Sequence, residues 1–231
     1  MTDRRLSFKP EMIAALLDGR KTQTRRLLRP LPEGHVWRYG WSQDEGAFWQ
    51  TDTQKERIPM WVGDRVVVNE GWRVSKSFDD RKPDELIPRL GLIMYDGGGS
   101  MGGTTEYPKT GPRLAADFKP DRSWPAPGVF PDWAGRRRAS FHMPRWASRL
   151  TLLIDDVRVE RLQDISEADA LAEGVKTGPA FGVPGPTWTA RDAYQVLWER
   201  INGPGSWEAN PWVVAYTFRV EPRNIDALEA A

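Results

Sequence analysis

The segment PEMIAALLDGRKTQTRRLL, residues 10–28, constrains the fold most, because its apolar period changes partway along. Pro10 suits a first helical turn, where its missing N–H costs nothing. Met12, Ile13, Leu16 and Leu17 follow as one apolar stripe at helical spacing. Gly19 stands where a left-handed C-cap belongs, and KTQTRRLL leaves it as a short strand. Residues 7–28 therefore read as strand, helix, strand.

The same reading extends along the chain. Residues 30–57 read as a Trp-rich loop. In IPMWVGDRVVVNEGWRV, Gly63-Asp64 is a turn and Val66–Val68 a buried strand. Residues 75–140 are expected to be mostly irregular, with one short strand at Leu90–Tyr95 and a flexible glycine linker at Gly97–Gly103. So long a loop in a compact domain is normally functional or partly disordered. Arg149–Leu162 reads as a long strand whose alternation changes phase, which a bulge near Asp155-Asp156 would repair. Ser166 with Asp169 forms a capping-box pair for a two-turn helix that Gly174 stops. Thr189 with Asp192 caps a further helix, with Ala193, Val196, Leu197 and Ile201 on its apolar face. WVVAYTFRV is the last strand, with Trp212, Val214, Tyr216 and Phe218 facing inward. The pattern is α+β: irregularly spaced strands with helices too few for βαβ winding, so a small mixed barrel with insertions is expected.

Bulk properties narrow the function classes. Lys plus Arg number 33 against 32 Asp plus Glu, so coating nucleic acid by charge alone is excluded as a mechanism. The absence of cysteine removes disulfides, thiolate zinc sites and thiol catalysis together. With two histidines, His35 and His142, neither a metal nor a cofactor is expected. No apolar run approaches the ~18 residues of a membrane span, and the N-terminal residues lack the apolar core of a signal peptide. A cytoplasmic protein is the expectation.

Three blocks carry a resemblance: ALLDGRKTQTRR, GDRVVVNEGW, and the stretch from PRWASR through LQDISEADALAEGV to the last strand. They resemble the ASCH family, and its phage- and prophage-encoded branch in particular. The first block is the most specific, being a helix followed by Gly-x-Lys-Thr-x-Thr-x-Arg. The resemblance implies one PUA-like mixed β-barrel domain over residues 1–231, with a few short helices and a long irregular insertion at about 75–140. It implies partners drawn from RNA, nucleosides or modified bases. Small bacterial members are amidohydrolases that deacetylate N4-acetylcytidine with a Lys and a Thr three apart and a later Glu. The matching positions are Lys21, Thr24 and Glu173. Other members are single-strand ribonucleases, and others only bind.

Amide hydrolysis needs a nucleophile, a base and a charge-stabilising group. Lys21 serves as base if burial or the flanking Arg20, Arg25 and Arg26 lower its pKa. Glu173 falls in the last turn of its helix, where the negative helix end disfavours a carboxylate and so suits an acid/base role. Glu167 is its rival on the same helix. A regular strand would send Lys21 and Thr24 to opposite faces, so shared chemistry requires a turn between them. Without the resemblance, GRKTQTRR reads as a solvated basic edge strand. Arg20 and Arg26 are candidate substrate contacts. Glu70 reads equally as a cleft residue or a turn cap. His142 with Arg145 is a candidate contact to a base or phosphate, and so is the run Arg136–Arg138, otherwise a solvated loop.

Overall fold

The computed structural model describes residues 4–28, 38–42, 46–50, 55–86, 93–101, 126–177 and 188–228. His35, Leu90 and residues 102–125 of the expected insertion lie outside them. The strands are β1 (Arg4–Ser7), β2 (Gln23–Leu27), β3 (Arg38–Ser42), β4 (Gly46–Gln50), β5 (Lys55–Arg57), β6 (Arg65–Asn69), β7 (Trp72–Arg73), β8 (Ile93–Tyr95), β9 (Ser100–Met101), β10 (Thr151–Arg161) and β11 (Trp212–Glu221). The α-helices are α1 (Pro10–Leu17), α2 (Glu167–Ala172), α3 (Ala190–Asn202) and α4 (Ile225–Leu228). The architecture is α+β, and among the described residues the strands form open sheets rather than a closed barrel. Among the described residues no helix is long and apolar enough to cross a membrane.

The chain forms two compact units. The first comprises residues 1–18, 65–153 and 220–231, the second residues 19–64 and 154–219. Strands β10 and β11 each have residues in both.

In the first unit β6 lies between β1, which it pairs in parallel, and the start of β10, which it pairs antiparallel. Val66, Val67 and Val68 are all buried, as expected of a strand covered on both faces. Helix α1 buries Met12, Ile13, Ala15 and Leu16. A second sheet, β7–β8–β9, packs Trp72, Val74, Leu86, Ile93 and Tyr95 against Met101, Met143 and Ala147. The stretch read as irregular thus contributes core on both sides of the residues not described. The glycine run is corrected as well. Gly98 and Gly99 adopt positive φ in a tight β8–β9 turn, and Ser100 and Met101 are buried strand residues. A glycine run and a glycine turn look alike until the flanking residues pair.

In the second unit β11 lies between β10 and β2, pairing β2 antiparallel from Val213↔Leu27 to Thr217↔Gln23. Residues 38–57, read as loop, contain the antiparallel meander β3–β4–β5. Helices α2 and α3 share a core of Leu162, Ile165, Ala170, Ala190, Tyr194, Trp198, Trp207 and Val213. The buried face of α3 is therefore Ala190, Tyr194 and Trp198, while Val196 and Ile201 stay 49% and 43% exposed. Two aromatic rings remove more surface from water than the aliphatic stripe, and they set the helix's rotation. The expected cap of α3 is present in full: Thr189 and Asp192 exchange hydrogen bonds with each other's backbone N–H.

Candidate active site

The site in the second unit is built at the open edge of β2. Gly19 takes φ 72° after α1, and the chain then runs beside the end of α2 before it enters β2. Lys21 forms an isolated antiparallel bridge with Glu173, and the Thr22 N–H donates to the Ala172 carbonyl at 2.8 Å. The Thr22 carbonyl accepts from the Phe218 N–H of β11. Strand carbonyls alternate sides, so the Gln23 carbonyl points the other way, off the sheet edge.

The Lys21 ammonium is seated there. Its Nζ donates to the Gln23 carbonyl at 2.8 Å, the Glu173 carbonyl at 2.9 Å and Glu173 Oε2 at 2.6 Å. Lys21 is only 2% exposed and Glu173 3%. The side chain is therefore buried and paired, which rules out a solvated edge strand. Burial pushes the Lys21 ammonium below its ordinary value; Glu173 opposes this, and Arg26 and Arg25 add smaller depressing effects. The expected influence of flanking cations is real but secondary to desolvation.

Arg25 completes the cluster. Its guanidinium donates to Glu160 Oε1 at 2.9 and 2.7 Å, Gln23 Oε1 at 2.6 Å and Glu173 Oε1 at 3.2 Å, and lies 3.5 Å from Asp169. Glu173 is thus held by Lys21 on one oxygen and Arg25 on the other. The Gln23 amide donates to Asp169 and Thr217. Tyr194 of α3 lies beneath the Arg25 guanidinium, 5.9 Å from ring centroid to Cζ. Burial first, and Glu173 second, push the Tyr194 phenol well above its ordinary value, so it stays protonated.

Gln23 and Arg25 share one face of β2, which places Thr24 and Arg26 on the other. Thr24 is buried and sits opposite Tyr216 of β11. Arg26 is half-buried, its guanidinium lowered mainly by desolvation, and it acts electrostatically on both Lys21 and Glu173. Arg20 donates to the Gly174 carbonyl at 2.7 Å, directly after Glu173. Glu167, the rival carboxylate, is instead a cap: its Oε2 accepts from the Ala190 N–H at 2.8 Å. Asp169 is only half of the expected capping box. Its N–H donates to Ser166 Oγ, while its carboxylate turns to Gln23, Arg158 and Arg25.

The remaining expected site residues belong to the first unit. Glu70 does not line an open cleft; its carboxylate accepts from the Gly97 backbone N–H at the β8–β9 turn. It is 1% exposed and forms a two-pronged pair with Arg149, at 2.8 and 2.9 Å. Burial pushes its carboxyl up, against the pull of Arg149. His142 is exposed, its ring 4.0 Å from that of Phe141. Arg145 pairs with Asp226 at 2.7 Å. The run Arg136–Arg138 is not uniformly solvated: Arg138 is buried and donates to the Phe78 and Arg81 carbonyls.

Sequence reasoning does not single out Arg149, Tyr194 or Glu160, and it marks Asp169 only as a helix cap. Position alone marks Arg25, two residues from Gln23 and four from Lys21 on a strand-like count; nothing in the sequence marks Tyr194 or Glu160. No protein-family model, curated protein or solved structure matches this chain.

Proposed function

We propose that the protein acts on a modified nucleoside or nucleic-acid base in the cytoplasm, as an ASCH-type amidohydrolase whose second unit is part of a PUA-like fold. The observation that supports this is the buried Lys21–Glu173 pair, with the lysine desolvated and the carboxylate held from two sides. In this reading the Thr24 hydroxyl attacks the acetyl carbonyl of an N4-acetylcytidine-like substrate and Lys21 in its neutral form takes the hydroxyl proton. Glu173 handles the proton delivered to the departing N4 amine, and water then releases acetate from Thr24. Charge developing on the carbonyl oxygen falls to the guanidinium of Arg26.

The test is incubation of purified protein with N4-acetylcytidine, following cytidine and acetate together. Wild-type turnover that Lys21→Ala reduces by at least ~10³-fold is the expected result. No deacetylation at high enzyme concentration would remove the catalytic version.

A second reading, a non-catalytic reader of RNA or modified bases, is favoured by one feature. Thr24 belongs to the β2 face opposite Gln23 and Arg25. Under that reading nucleosides bind without turnover, and Thr24→Val weakens binding rather than abolishing chemistry. Cleavage of RNA but not its 2′-deoxy equivalent would instead identify a metal-independent ribonuclease.

A further inference from the structure

The first unit holds a cleft of about 580 Å³, lined by Glu11 and Ala14 of α1, Arg73 of β7, Asp96, Phe130 and Arg137. That volume is within the range of small-ligand sites, ~300–1,000 Å³. Its polar wall is built rather than incidental. The Asp96 carboxylate lies against Gly71, where any Cβ would run into it, and the Asp96 N–H donates to the Gly71 carbonyl at 2.8 Å. Arg137 binds Asp96 Oδ2 through its Nε. Asp96 is only 8% exposed, yet among the described residues its Oδ1 has no hydrogen-bond partner. Among the described residues the same holds for Arg73 Nε, 3.9 Å from that oxygen.

The two atoms face each other only as a long ion pair, and a buried acceptor and donor left without a hydrogen bond are costly. Arg73 cannot close the gap, because it is held elsewhere. Its Nη1 donates to the Gly135 carbonyl at 3.0 Å, and its guanidinium lies over the Phe130 ring, 4.3 Å from Cζ to centroid. The cleft therefore offers a planar stack of Phe130 and Arg73, next to an acceptor–donor pair, with the half-exposed Arg137 at its rim. A ligand that satisfies all three is a planar heterocycle with a hydrogen-bond donor and an acceptor on adjacent atoms. Such an edge is common to the nucleobases, and stacking on aromatic or guanidinium planes is how unpaired bases are held.

We propose that this cleft is a nucleotide-binding site: the base edge meets Asp96 Oδ1 and Arg73 Nε, its face stacks beside Phe130, and a phosphate reaches Arg137. The site does not rest on the Lys21 reading, and it shares no residue with it.

The experiment is calorimetric titration of the full chain with the four nucleoside 5′-monophosphates and with ribose 5-phosphate. At least one nucleotide binds below 1 mM, and ribose 5-phosphate binds at least about tenfold more weakly. Asp96→Ala abolishes binding, and Phe130→Ala weakens it by about tenfold or more. Phe130 is only partly buried in a loop, so its variant reads the site even if Asp96→Ala destabilises the fold, which circular dichroism would show. No binding by any nucleotide at 1 mM, ribose 5-phosphate binding as well as the nucleotides, or full binding by Phe130→Ala would overturn the assignment. Loss of N4-acetylcytidine turnover with nucleotide binding intact would count against the Lys21 site alone.

Discussion

At Lys21 desolvation and ion pairing oppose each other, and their balance is measurable. Desolvation lowers the ammonium's pKa below 10.5, and Glu173 is the main group holding it up. Between that lowered value and 10.5 the unfolded chain binds more protons than the folded one, so Lys21's contribution to stability rises with pH across that window. Below it, the cost of burying the charge is present in full. Glu173→Gln removes the opposing charge, and the Lys21 pKa falls further. Breaking a buried pair costs about 3–5 kcal/mol, so the variant is expected to lose roughly 3 kcal/mol at pH 7. The deficit shrinks as pH rises toward 10, because neutral Lys21 needs no partner. Urea unfolding at pH 7 and pH 9.5 checks this, and a deficit independent of pH would contradict it. Lys21 and Glu173 were legible through the family resemblance, and Arg25 as a neighbour of Lys21. The contacts of Arg25 with Glu160 and Tyr194 were not, because contacts across ~135–170 residues of sequence leave no local period.

Among the elements, α3 is the one whose ends were most legible and whose face was least. Its cap depends on Thr189 and Asp192, three residues apart, and Gly203 ends it with φ 99°. Caps are local chemistry and survive tertiary context. Thr189→Ala should destabilise the protein by about 1 kcal/mol, read as a lower urea midpoint at unchanged slope. Glu167 adds a second acceptor at the same helix start, bonding the Ala190 N–H, so the loss should stay below the upper end of the capping range, about 2 kcal/mol. Helix faces are decided by partners. The α3 stripe was read from aliphatics, whereas packing chose Tyr194 and Trp198. The same logic explains β2. An edge strand with two arginines reads as charge against pairing, but α2 lies beside that edge and its carboxylates take up the charge.

For the whole chain, the near-equality of 33 basic and 32 acidic residues takes on a structural meaning. Cations in both units face carboxylates: Arg25 with Glu160, Arg149 with Glu70, Arg145 with Asp226, Arg219 with Asp155. Among the described residues these cations are taken up by carboxylates rather than left free to follow a phosphate backbone. Counterion release then gives a direct prediction. A strand binder that neutralises 6–10 phosphates has a slope of log K against log salt of roughly −4 to −7 on single strands. One that recognises a base and touches one or two phosphates has a slope of about −0.7 to −1.4. Titration of single-stranded RNA between 50 and 300 mM salt, followed by fluorescence anisotropy, should give the shallow slope. It should also leave most of the binding energy dependent on stacking, so that an abasic strand of equal charge binds at least about tenfold more weakly. A steep slope with no loss for the abasic strand would mean that backbone charge, not the base, is what the protein reads, and would argue against both proposed base sites.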